Sequence, residues 1–215
     1  MVSDTEIPMP ASSDARQRIL DSAYDLFSRR GIRAVGVNEL VARAGVAKTT
    51  FYNLFRSKDD VVLAFLEKRE QLWTKAWVET EARQRGETPE AQLLAIFDLF
   101  DEWFKRDDFE GCSFINVLLE IDDRQHPVHR AAMRHLFNIR SFLRNLAEEA
   151  GVSDPDGFAR RWHILMKGSI VAAGEGDREA ARAAQNLGRL LLASEGIIVD
   201  PPEPGDKPDR RAVAQ

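Results

Sequence analysis

The chain has 215 residues, 44% of them hydrophobic and 30% charged, with a formal net charge of −5, enough apolar material for one small and one medium domain. Its single cysteine excludes an intrachain disulfide. No charged and apolar leader marks export and no apolar run is long enough to cross a bilayer, so the expected location is a cytoplasm.

The charge is unevenly spread. Residues 15 to 58 carry nine basic and three acidic side chains, +6, which leaves −11 on the rest. A basic head on an acidic body is expected where only the head meets nucleic acid.

Residues 1 to 13 show no period and are expected to form a mobile tail. Asp14 is expected to cap a helix with a buried stripe of Ile19, Leu20, Ala23, Leu26 and Phe27, closed by Arg29, Arg30 and Gly31. The stretch VNELVARAGVAKTTFYNLFRSK, Val37 to Lys58, then reads as a helix-turn-helix. One apolar period (Val37, Leu40, Val41, Ala44) stops at Gly45, and another (Val46, Thr50, Phe51, Leu54, Phe55) starts almost at once. Two helices so closely joined must cross steeply, the geometry that sets one on the phosphate backbone and the next in the major groove. The second helix turns Val46, Phe51, Leu54 and Phe55 inward and leaves Lys48, Thr49, Thr50, Tyr52 and Asn53 for DNA. Lys and Tyr suit phosphates, Thr a phosphate or a thymine methyl, and Asn an adenine edge. Asn38 on the first helix is a further candidate contact. Ser57 reads as an N-cap with Asp60 three positions on, and Lys58 in that first turn gains nothing from the helix dipole, so a phosphate partner is expected for it.

At these residues the segment resembles the TetR family of bacterial transcriptional repressors. GVAKTTFYNLFRSKDDVV carries the family spacing of Tyr52, Phe55 and Lys58, and the resemblance covers about the first 65 residues. It departs at two positions: the family usually caps these helices with Ser or Thr, and here Gly36 and Ala47 stand there. The resemblance implies an all-α protein with a DNA-binding head (14–60) and a larger ligand-binding and dimerisation domain (61–198); with no nucleophile and base motif or cofactor loop in the sequence, neither enzymatic activity nor a cofactor is expected. It also implies a homodimer built through the last two helices, about 155–175 and 177–194. Two heads about one DNA turn apart would read a palindrome, as one head reads too few base pairs.

The remaining spacing predicts a long helix from Lys58 to about Gln84 with Val61, Val62, Phe65, Leu66, Leu72, Trp73, Ala76 and Trp77 on one side. Thr88 and Pro89 open the next helix, lined by Leu93, Ile96, Phe97, Phe100, Trp103 and Phe104. A short helix follows over 111–121, then a polar loop over 122–126. Pro127 opens a helix that runs to Gly151, Asp154 and Pro155 one that runs to Gly174 or Gly176, and the last spans about 177–194 with a stripe of Ala180, Ala183, Ala184, Leu187, Leu190 and Leu191. The Pro-rich, charged stretch 199–215 is expected to be a disordered tail.

An aromatic surplus in the middle helices can line a cavity for a flat or greasy molecule, and the family resemblance implies a small-molecule effector there. The candidate contacts are Trp73, Trp77, Phe97, Phe100, Trp103, Phe104, Phe114 and Trp162, with the polar Asn116, Glu120, His135 and His163 on or beside apolar faces. Ordinary core packing and structural hydrogen bonds are the competing readings of each. Other constellations point elsewhere. Cys112 before a helix suggests redox sensing, opposed by Asp107, Asp108 and Glu110 nearby and by the lack of a second cysteine. Asp122, Asp123, His126 and His129 have metal-ligand chemistry but only a loop context, and no metal is expected. Glu120 with His126 or His163 would be an enzyme's acid and base, without a nucleophile motif or cofactor loop to serve. A helical interaction module that has lost DNA binding is the remaining alternative.

Overall fold

The structure, a computed structural model, describes residues 11–199. The expectations for residues 1–10 and 200–215 lie outside it. Among the described residues there are nine helices and no strand.

The first helix, α1, spans Ala11–Arg30, so it begins before Asp14, which sits within its first turns and pairs with Arg18 instead of capping. Helices α2 (Val37–Ala44) and α3 (Lys48–Leu54) follow, separated by the turn at Gly45. Gly45 has φ 61 and ψ 40, a left-handed conformation that only glycine adopts without steric cost, and its N–H and that of Val46 close α2 on Ala42 O and Val41 O. Neither Gly36 nor Ala47 offers a side-chain cap to the helix it precedes. Order in the head therefore comes from its core: Ile19, Ala23, Phe27, Val35, Leu40, Phe51 and Phe55 are buried together with Val62, Phe65 and Leu66 of the next helix.

That helix, α4, is continuous over 58–85 and has three parts. It is α-helical over Lys58–Arg69, π-helical over Glu70–Glu79 and α-helical again over Thr80–Arg85. Its start follows the sequence closely, as Ser57 and Asp60 form a reciprocal capping box. Its middle departs from expectation. Bonds from i to i+5 widen the turn, so residues four apart stay on one face. Glu70, Thr74, Val78 and Ala82 are therefore buried, whereas Leu72 and Ala76, expected inside on an α-helical period, face out.

Five helices complete the body. The fifth, α5 (Pro89–Phe104), starts on the Thr88 cap and is buried almost all round, from Leu93 to Phe100, as befits a central helix. Around it stand α4, α7 (Pro127–Glu149), α8 (Pro155–Gly174) and α9 (Ala180–Ser194), while α6 (Ser113–Glu120) lies on α7 and touches α4. His126 and Asp154 cap α7 and α8 through Val128 N–H and Gly157 N–H.

The expected stripe of α9 splits in two. Ala180, Ala184 and Leu192 pack inward, but Ala183, Leu187 and Leu190 face out, as do Ile164, Gly168 and Val171 of the neighbouring α8. Leu187 is 52% exposed, Leu190 67% and Ile164 63%, apolar side chains that nothing among the described residues covers. No helix among the described residues is long and apolar enough to cross a membrane.

Candidate functional site

Two regions carry the candidate residues. The first is the outer face of α3. Phe51 is fully buried and anchors the helix, with Tyr52 edge-on to it at 5.3 Å. Lys48, Thr49, Tyr52 and Asn53 are exposed and Thr50 half-buried; Asn38 is exposed on α2. These side chains form no ion pair among the described residues, so their polar groups are available to a groove.

Lys58 is placed differently. Its ammonium donates to Ile32 O at 2.8 Å and Val35 O at 3.2 Å, so two of its three protons hold the turn between α1 and α2. The helix dipole gives it no partner, as the sequence indicates, but backbone carbonyls of the head supply one. Of the three arginines at the end of α1, Arg29 pairs with Asp25 and Glu110 and Arg30 with Glu39, while Arg33 makes no ion pair among the described residues.

The second region is the body and its junction with the head. A cleft of about 500 Å³ lies between α1, α4 and the loop after α5. Trp73, Trp77 and Trp103 line it with Leu72, and the rim carries Asp21, Arg29, Lys68, Arg69, Asp108 and Glu110. The three indoles are mutually packed, with centroids 5.1 to 6.1 Å apart, and Phe100 and Phe104 continue the cluster. Burial pushes the Glu110 carboxyl above the usual range, against the pull of Arg29. Phe97 and Trp162 are not part of this wall. Both are fully buried, 5.4 Å apart, in the core between α5 and α8.

Deeper in the body stands a polar cluster that the sequence reading found only by half. Glu70 is 4% exposed, and its carboxylate is held by His135 Nδ1 at 2.7 Å and Asn138 Nδ2 at 2.6 Å. Phe114 stacks on His135 at 5.1 Å. His135 therefore has a structural partner, and that partner lies on the π-helical segment. Glu70 was detectable: Val62, Leu66 and Glu70 follow at i+4, which puts a carboxylate on an apolar stripe. Glu67, Glu70 and His135 place their ligand atoms within 4.8 Å of one another, the one such trio among the described residues, but both Glu70 oxygens are already bonded and Glu67 is exposed.

His163 is 4% exposed and its Nδ1 has no partner among the described residues. Desolvation, helped by the charges of Lys167 and Arg140, lowers its pKa to about 3, so it is neutral at physiological pH. Trp73 Nε1, Thr74 Oγ1 and Trp162 Nε1 are likewise buried without a partner. Asn116 donates to Glu110 O at 3.3 Å, which orders the loop before α6.

The metal and redox readings find no geometry. Asp122, Asp123, His126 and His129 do not converge: His129 Nδ1 bonds Ile121 O at 2.7 Å and His126 Nε2 lies 3.4 Å from Asp59. Cys112 is 5% exposed, and burial raises its thiol pKa despite the Ile115 and Phe114 N–H groups, so little thiolate forms and redox sensing is not favoured. Glu120 spends both oxygens on backbone N–H groups of Ile32 and Arg33, and is no acid or base for chemistry.

Comparison with known proteins fits this layout. The family described as "Bacterial regulatory proteins, tetR family" matches residues 19–65, and "Tetracyclin repressor-like, C-terminal domain" matches residues 89–187. A TetR-family transcriptional regulator from Streptomyces coelicolor has a similar structure, with a TM-score of 0.78 at 30% identity over 85% of this chain and 96% of its own. The HTH-type transcriptional regulator YjdC of Escherichia coli is 22% identical over 84% of this chain and 97% of its length. The HTH-type transcriptional repressor NemR of Escherichia coli is 28% identical over 55% of this chain and 59% of its length.

Proposed function

The chain belongs to the tetR family of bacterial regulatory proteins, and from that premise we propose that it is a homodimeric repressor released from a palindromic operator by a small aromatic or apolar effector. Its membership makes it a DNA-binding transcriptional regulator and not an enzyme. The observation that carries the finer reading is α3, whose exposed Lys48, Thr49, Tyr52 and Asn53 stand on a helix pinned by buried Phe51. In this reading Tyr52 holds a phosphate and Asn53 reads a base edge. Lys58 contributes by fixing the turn behind α2, with one proton left for a phosphate.

The bare face of Ile164, Val171, Leu187 and Leu190 supports pairing of α8 and α9 with their twofold mates, since large apolar patches on a folded subunit mark an interface. An effector is supported by the tryptophan-lined cleft and by the buried polar atoms Trp73 Nε1, Thr74 Oγ1 and His163 Nδ1, which have no partner among the described residues, because buried polar groups rarely stay unpaired. The ligand acts only to the extent that it prefers a conformer with wrongly spaced heads, typically by about 1–3 kcal/mol. Helix α4 belongs to both parts and is the lever.

The test is selection of random duplexes by the purified protein at two salt concentrations. An enriched palindrome with half-sites about one turn apart is the expected result. Salt-sensitive binding without a motif would withdraw the base contacts of α3.

A further inference from the structure

Glu120 is the last residue of α6, in the body, yet its carboxylate is bonded to the head. Oε1 accepts the N–H of Ile32 at 3.1 Å and Oε2 the N–H of Arg33 at 2.6 Å. Both N–H groups belong to the turn between α1 and α2, and neither has a backbone acceptor there. Gly31 makes the approach possible: at φ 76 it leads into the turn, and a Cβ in its place would lie 2.6 Å from Glu120 Oε1.

The same turn is gripped from its other side. Lys58 Nζ takes Ile32 O and Val35 O, so the peptide groups of residues 32 to 35 are held by a carboxylate of the body and an ammonium of α4. Glu120 itself has little play. Ile121 N–H bonds Val117 O at 3.1 Å, and His129 of α7 donates to Ile121 O at 2.7 Å.

The other polar links from the helices and loops after α4 to the head and its border are weaker in kind. Arg29 meets Glu110 at 3.5 Å and His126 meets Asp59 at 3.4 Å, side chain to side chain, at partly exposed positions. Such pairs follow a moving domain by changing rotamer and contribute little. A carboxylate on two backbone N–H groups is a charge-assisted pair of bonds to the chain itself, and the turn cannot shift without breaking it. Val37, the first residue of α2, is four residues beyond Arg33.

We propose that Glu120 is the positioning residue that sets the orientation of the DNA-binding head on the body, by holding the N–H groups of Ile32 and Arg33. Movement of α6 or of the His129 end of α7 is thereby delivered to the base of the helix-turn-helix through this carboxylate. A released turn leaves the head to be ordered on DNA, so loss of the latch weakens DNA binding. The second consequence rests on the reading of the head as the DNA-binding part; the first does not.

The test uses the full chain with Glu120→Ala, Glu120→Gln and, as a control at the side-chain pair with His126, Asp59→Asn. Hydrogen–deuterium exchange reads the turn directly. Expected is exchange at Ile32 and Arg33 about tenfold or more faster in Glu120→Ala, with α1 and α3 protected as before, and a smaller change in Glu120→Gln, which keeps one acceptor. The duplex pool enriched by the wild-type protein then reads the function: about tenfold weaker binding for Glu120→Ala, an intermediate loss for Glu120→Gln and none for Asp59→Asn. Unchanged exchange in Glu120→Ala overturns the latch. Faster exchange with wild-type DNA affinity reduces Glu120 to a structural cap and overturns its positioning role. Failure of the wild-type protein to enrich any duplex would bear on the reading of the head, and the exchange result would still decide the latch.

Discussion

The head and the body keep their candidate functional residues in opposite places. In the head the core is apolar apart from the small Ser22 and Ser28 of α1, and the polar side chains proposed for DNA contact stand outside, on α3 and at Asn38. In the body the informative polar groups are inside: Glu70 with His135 and Asn138, Thr74, and His163. A surface that works by contact needs only a stable support behind it. An interior that responds to a ligand must hold polar groups away from water, where each is costly unless paired. The two regions should therefore fail differently on mutation, the body in stability and the head in affinity.

The sharpest form of that contrast is Glu70→Ala. Removing the carboxylate leaves His135 and Asn138 without their partner in a site that is 3–4% exposed at His135 and Glu70. Breaking a buried pair on one side costs about 3–5 kcal/mol. Urea unfolding should show it as a lower midpoint with an unchanged slope. Loss below about 1 kcal/mol would mean that the cluster is solvated in solution and that the interior is less closed than the structure has it.

A smaller effect separates the regions by pH. His163 titrates near 3 in the fold, against an ordinary value of 6.5. Its folded pKa is depressed, so the unfolded chain takes up the proton first and stability falls as pH drops below 6.5. The contribution is complete above that value and declines down to about 3. Between pH 7 and pH 5 the loss from this one group is about 2 kcal/mol. His163→Gln should flatten the slope of stability against pH in that window. An unchanged slope would assign the acid sensitivity to other groups.

DNA binding gives the head's side of the comparison. Asn53→Ala should cost about 1–3 kcal/mol at one base position and relax preference there. Tyr52→Phe removes a hydroxyl and should cost about 1 kcal/mol on every sequence alike. Neither should move the urea midpoint, since both residues are exposed. Equal loss of preference in the two variants would count against the division between phosphate and base contacts.

This difference also governs what could be seen in the sequence. The head was legible because its rules are local: apolar spacing, Gly45 between two short helices, and Ser57 with Asp60 produce the elements found. The caps Thr88 and Asp154, each before a proline, fixed two body helices in the same way. Where the signal was tertiary, residue type alone did not name the partner. Lys58 suggested phosphate and holds carbonyls of the head; Glu120 suggested a ligand and holds the α1–α2 turn. The π-helical segment defeated the period itself, since a wider turn exchanges Leu72 and Ala76 for Glu70 and Thr74 on the inner face. Aromatic content did not say which rings border the cleft and which, like Phe97 and Trp162, fill the core.

The smallest effect concerns the one local rule that the head breaks. Ala47 precedes α3 at φ −72 and ψ 148, the extended conformation of an N-cap, but offers no acceptor to the first-turn N–H groups. Ala47→Ser supplies that oxygen without changing the backbone, and such a replacement stabilises by about 1 kcal/mol. In a chain of this size the gain should raise the melting temperature by about 2–4 °C. If α3 is already ordered by Phe51 and the core behind it, DNA affinity should stay the same while stability rises. If instead α3 frays until DNA orders it, the cap removes part of that cost and affinity should rise several-fold. Measuring both on one variant therefore separates a head that works as a rigid surface from one that DNA must order.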